Sequence, residues 1–196
     1  MAALVEAGAQ RVEERELTQK PIPGMPSIGF SHVTLLEVEG ERDGADELLA
    51  RLDEWQRSSA LHPNHSIIGV DAFAAHGRWT ERPDPSSELS GHIVAYVGCT
   101  EHARLAEWDC WLDEVHVPDM LDSGAFAAAT RWARSEPQRF GANHLTLYDV
   151  ADRPVEDAVA LSADALRKCV AAGRKLSCHV GGMVLTLRPS APEPPD

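Results

Sequence analysis

"HLTLYDV", residues 144–150, repeats "HVTLLEV", residues 32–38, with His, Thr, Leu and Val in the same places. A looser copy, "HIVAYVG", begins at His92. All three alternate with a period of two and favour β-branched and aromatic residues, so each reads as a strand. After the first comes "DGADELLARLDEWQRSS", a helix with Asp43 as N-cap and an apolar stripe of Ala45, Leu48, Leu49, Leu52 and Trp55. "NHSIIGVDAF" reads as a strand and "ERPDPSSELSG" as a loop. A second helix, "EHARLAEWDCWLDEVH", is expected to stop near Val117, because Pro118 disfavours helical geometry in the residue before it. "AFAAATRWA" reads as the strand before "RSEPQRFGAN", a turn. Pro154 and Gly173 bound a third helix, and "LSCHVGGMVLTL" closes the pattern.

The order is βαβ three times, with helices expected over 43–59, 102–116 and 155–172. Similarity between the first and last units points to an internal repeat. Two βαβ units make a ferredoxin-like fold, so the chain holds one such fold and half of another. The expected class is therefore α+β: ferredoxin-like βαβ repeats, antiparallel sheets and helices on the outer faces. Residues 1–27, ending in "KPIPGMPSIG", read as an N-terminal arm or linker, 28–80 as a βαβ half-repeat and 90–190 as the complete module. Residues 191–196 read as a disordered tail.

Composition narrows the partners. A chain of 196 residues with 43% hydrophobic and 25% charged residues needs no staple to form a core. A net charge of −13 argues against nucleic acid and anionic membranes. Cys99, Cys110, Cys169 and Cys178 form no CxxC pair and read as small apolar residues, which suits a reducing cytoplasm. Neither a signal peptide nor a membrane-spanning run is expected. "HPNH" at 62–65 lacks further ligands at metal spacing, so no metal or other cofactor is expected.

The sharpest motif is "EWDCWLDEVHVPDML", residues 107–121. It resembles the "EFxxWYxxxHxPxxL" signature of the dimeric α+β barrel superfamily, especially its EthD-like members. Glu107, Trp108, Trp111, His116, Pro118 and Leu121 fall on that pattern. "SGAFAAATRW" and "HLTLYDV" resemble the two strands that follow it there. Leu112 stands where that family often has Tyr, and Ser123 where it often has Pro. The resemblance implies a barrel closed around a cavity, with helices outside. It also implies cyclase, isomerase, decarboxylase or cofactor-free oxygenase chemistry on polyketide-like or aromatic compounds.

Strand alternation sorts the candidate site. His144, Thr146 and Tyr148 oppose Leu145 and Leu147; His92 and Tyr96 oppose Ile93, Ala95 and Val97; His32 and Thr34 oppose Val33 and Leu35. The face mixing His, Thr and aromatic residues is expected to line the interior. Taken as parallel central neighbours in register, strands 92–98 and 144–150 put His92 beside His144 and Tyr96 beside Tyr148. His144, His92 and His116 are the candidate acids and bases, with Tyr148 and Tyr96 holding a substrate oxygen. His32, Thr34, Thr146, Trp108, Trp111 and Asp119 are candidate substrate contacts. Each has a structural reading as well: strand-start histidines and cross-strand tyrosines pack sheets, and the tryptophans fill cores. At the end of its helix, His116 is expected to gain from the dipole when protonated and to tie to the next loop through Asp119.

The function expected is a cofactor-independent cyclase, isomerase or decarboxylase of a hydrophobic small molecule. A cofactor-free oxygenase of a phenol and a non-catalytic binding or assembly module are the alternatives. Because two and a half repeats leave a sheet face or edge exposed, a homodimer is expected.

Overall fold

A computed structural model describes residues 9–17, 32–38, 42–57, 73–79, 88–134 and 142–189. The elements are β1 (Ala9–Leu17), β2 (His32–Val38), α1 (Arg42–Arg57), β3 (Phe73–Trp79) and β4 (Leu89–Cys99). After a 3₁₀ turn come α2 (Leu105–Trp111), a π turn (Leu112–His116), α3 (Val117–Asp122), β5 (Ala128–Arg134), β6 (His144–Ala151), α4 (Val155–Ala171) and β7 (His179–Pro189). The 64–73 strand, apart from Phe73, most of the 81–91 and 134–143 connections, the 62–65 histidine pair and the 191–196 tail lie outside the described residues.

The strands form one α+β sheet of seven, ordered β2-β1-β7-β4-β6-β5-β3, and every pairing among the described residues is antiparallel. The sheet curls into half a barrel. β2 and β3 are its edges, yet Val33 and Phe73 join one apolar cluster with Tyr96, Trp132 and Met183. The Phe73 and Tyr96 rings lie 6.0 Å apart although β5 and β6 separate their strands. On a flat sheet those backbones would be about 14 Å apart.

Antiparallel pairing corrects the expected register. β5 returns parallel to β4 after a helical crossover, and β6 reverses again, so β6 must oppose β4. His92 faces Asp149, Ile93 faces Tyr148, Tyr96 faces Leu145 and Val97 faces His144. His92 is therefore not beside His144, and Tyr96 is not beside Tyr148. Directly opposed residues share a face, so His144, Thr146 and Tyr148 lie with Ile93, Ala95 and Val97. Helices cover that face. Val117 and Met120 of α3 and Val155, Ala158 and Ala165 of α4 pack on Ile93, Ala129, Tyr148 and Val150. The other, concave face carries His92, Val94 and Tyr96 with Leu145, Leu147 and Asp149.

Two further expectations change. Residues 9–17, inside the expected arm, form a strand between β2 and β7. β2 and β3 sit at opposite edges of the sheet; the strand expected over 64–73 in the 28–80 half-repeat lies, apart from Phe73, outside the described residues. The helical segment also runs past Val117 to Asp122. Pro118 has no N–H for the carbonyl four residues back, and its ring would collide with that carbonyl. A π turn opens the helix there, and the Val117 N–H reaches the Leu112 carbonyl. No helix among the described residues is long and apolar enough to cross a membrane.

Gly91, at the β4 bulge beside His92, has φ +156. A Cβ there would lie 2.1 Å from the Leu187 carbonyl oxygen and 2.5 Å from Val155 Cγ2. Gly91→Ala is expected to lose about 1–3 kcal/mol, the usual cost of overpacking. Urea denaturation checks this, and an unchanged midpoint would contradict it.

Candidate functional site

The sheet separates the candidate residues into two groups. On the concave face, His92 Nδ1 lies 3.0 Å from Asp149 Oδ1, and both residues are buried. Around the pair lies an apolar surface: Val94, Leu145, Leu185 and Leu187 are buried, and Tyr96, Leu147, Trp132 and Met183 pack against them. Polar groups survive in such surroundings only when hydrogen-bonded. Here a carboxylate orients an imidazole, the arrangement that prepares a histidine to take up a proton. Tyr96 lies on the same face but four residues along β4, about 13 Å from His92 by strand rise. Its ring packs at the far end of this surface beside Phe73.

The helix-covered face holds a second polar group. Arg131, fully buried on β5, forms ion pairs with Asp109 and Asp113 of the helical segment and lies 3.4 Å from His144 Nδ1. His76 Nε2 lies 3.0 Å from Asp109 Oδ2. His76 is the extra residue of a β-bulge, since Ala75 pairs with Trp132 and Gly77 with Arg131. The bulge frees it from the alternation and turns it toward the helix. The π turn likewise delivers Asp113 and His116. Burial pushes the Asp109 carboxyl up, but the Arg131 hydrogen bond and charge, with His76, outweigh it and hold the carboxyl below the usual range.

Aromatic rings complete this group. Trp108, fully buried, meets His144 edge-on at 4.8 Å and donates from Nε1 to His179 Nδ1 at 3.2 Å. Trp111 stacks on His116 at 4.9 Å and donates from Nε1 to the Arg174 carbonyl. Asp119 binds Arg174 and accepts from the Cys169 thiol at 3.2 Å. His116, His144 and His179 are each held down to about 4, chiefly by burial. Arg131 adds to this at His144, and His116 and Lys175 add to it at His179. For His116 this reverses the rise expected from the helix end: burial outweighs the opposing charge of Asp119, and Lys175 and Arg131 press the same way. For His144 it removes the near-neutral titration expected of a general base.

Tyr148 is buried against Phe126, 4.4 Å between ring centres, and burial pushes its phenol above the usual range. Thr146 is buried beside it on the same face. Both are core residues of the helix-covered side. His32 and Thr34 are exposed on the edge strand β2 and join neither group. Asp149, Arg131, Asp109, Asp113, His76 and His179 stand outside the candidates that strand alternation and the helix motif single out. A signal was present for two of them: Asp149 and Arg131 are charged residues set in strands that otherwise read as buried. Among the described residues, no group of three or more His, Cys, Asp or Glu side chains is arranged to hold a metal ion.

The low-titrating histidines make stability pH-dependent. Above pH 6.5 the folded and unfolded chains both carry them neutral. Below it the unfolded chain takes up protons that the folded chain refuses until about pH 4, so stability falls across that window and then levels off. One such histidine contributes at most about 3 kcal/mol, and partial exposure of the rings reduces this. Urea midpoints measured from pH 7.5 to 4 should fall steadily below 6.5. A flat profile would contradict these ionisation states.

A scan against protein-family models gives no match, and a search of curated proteins finds none similar to this chain.

Proposed function

We propose that this chain is a small-molecule enzyme using histidine acid–base chemistry on a hydrophobic, oxygenated substrate of polyketide-like or aromatic type. The observation that carries this reading is the buried His92–Asp149 pair set in the apolar concave face. With its Nδ1–H donated to Asp149, His92 presents Nε2 as the base. The carboxylate then stabilises the imidazolium that forms when a carbon-bound proton is taken. Return of that proton at another atom is an isomerisation or completes a cyclisation. Protonating the carbanion left by carbon dioxide completes a decarboxylation. None of these steps calls on a cofactor.

Within this proposal, the 90–190 module is ferredoxin-like and resembles the EthD-like proteins. The strand order β7-β4-β6-β5 with two β-helix-β crossovers supports that reading. The half-barrel is completed by a second copy, as a homodimer, and four free cysteines suit the cytoplasm.

Methyl-labelled protein titrated with 2-naphthol, a flat hydrophobic phenol, tests the placement. The expected result is shift changes at Val94, Leu145, Leu185 and Leu187. Changes confined to the helix-covered side, at Leu112 and Val117, would overturn it. Oxygen uptake with the same phenol would redirect the reaction class to cofactor-free oxygenation.

A further inference from the structure

We propose that the cavity between α3 and α4 is a second ligand site, which takes a primary ammonium group carried on an apolar body. The cavity holds about 410 Å³, within the roughly 300–1,000 Å³ of small-molecule sites. One wall is Asp122 and Ser123, at the end of α3. The other is Leu161 and Ala165 of α4, with Ala172 just past its end. The site belongs to the helical layer and not to the concave face, so the proposal is independent of the His92–Asp149 reading.

Two features select a cation. The lining carries three carboxylates against two cations, and both cations are already engaged. Arg174 donates to Asp119 from Nε at 2.9 Å and from Nη2 at 2.6 Å, and Lys168 Nζ lies 2.8 Å from Asp164 Oδ2. Asp122, exposed on its wall, is the carboxylate left over, and it makes no ion pair among the described residues. The second feature is the backbone. The helical segment from Leu105 ends at Asp122 and α4 ends at Ala171, so two carbonyl ends, each the negative pole of a helix dipole, meet at this cavity. A net charge of −13 also favours the approach of cations. The apolar body is called for by the facing wall. Leu161 is 39% exposed, and a ring or alkyl chain laid over it takes that surface out of water. A hydrated metal ion would leave it bare.

The full chain is titrated with phenethylammonium and, in parallel, with phenethyl alcohol, which has the same body and no charge. Amide shifts locate the ligand. Alkylation of Cys169, partly exposed on the cavity lining, gives a second readout. Phenethylammonium is expected to shift the amides of Asp122, Ser123 and Ala172. It should also slow alkylation of Cys169 but not of Cys110, which is exposed on α2. The alcohol should bind about fivefold more weakly, as the loss of one exposed ion pair implies. Asp122→Asn should bring the ammonium down to the affinity of the alcohol, and Leu161→Ser should weaken both ligands alike. Melting of the two variants confirms that they fold. Equal affinities for the two ligands, a preference that survives Asp122→Asn, the same shifts from ammonium chloride alone, or an unprotected Cys169 would overturn the proposal.

Discussion

On the proposed function, His92→Asn is expected to lower turnover by about 10²–10⁴-fold, the range that a positioned acid or base contributes. The asparagine keeps a donor for Asp149 at nearly the same place but cannot carry the transferred proton. Asp149→Asn should lower turnover as well, because the amide no longer holds the imidazole as the Nδ1–H form or stabilises its cation. His144→Asn is the control. That ring is tied to Arg131 and Trp108 under the helices, and it titrates near 4. Its loss should change stability more than rate. Rates measured on folded variants with a substrate found among aromatic ketones and phenols decide the matter: equal rates for wild type and His92→Asn would remove the pair from the mechanism.

The second large effect is on folding. The double variant Asp109→Asn/Asp113→Asn should lose about 3–5 kcal/mol, because a fully buried guanidinium is left without its two carboxylates. Arg131→Met should cost much less. It removes the buried charge, and the carboxylates left behind, 29% and 37% exposed, regain water. This asymmetry distinguishes a buried charge held by its partners from a surface ion pair, where either change would cost under about 1 kcal/mol. Urea denaturation of the two proteins gives the comparison. A double variant as stable as Arg131→Met would show that the carboxylates contribute little.

Much of the fold was legible because strands and helices write different periods. The alternation in β4, β6 and β7 located those strands, and the stripes and proline positions located α1 and α4 within two residues. What alternation cannot give is direction. His144 and Tyr148 were set on the correct common face of β6, but an antiparallel neighbour turns that face toward Val97 and Ile93 rather than toward His92. His144, Thr146 and Tyr148 therefore lie on the helix-covered face, and His92 and Tyr96 on the concave one.

β1 was illegible for another reason. "AQRVEEREL" is dense in Glu and Arg, which favour helices over strands, and only backbone pairing with β2 and β7 makes it a strand. His76 and Asp113 depend on a bulge and a π turn, local departures from periodicity that no pattern announces. Asp149 was readable: a carboxylate following Leu145 and Leu147 on the apolar side of a buried strand needs a partner. The partner is His92.

The most direct test of this account is the nitrogen-15 spectrum of histidine-labelled protein, recorded before and after adding 2-naphthol at pH 7. His92 is expected to carry its proton on Nδ1, the signal of this proton to be altered in Asp149→Asn, and the Nε2 resonance to move when the phenol binds. His144 and His179 should stay neutral and unmoved. A phenol that shifts His144 or His179 while leaving His92 unchanged would contradict it.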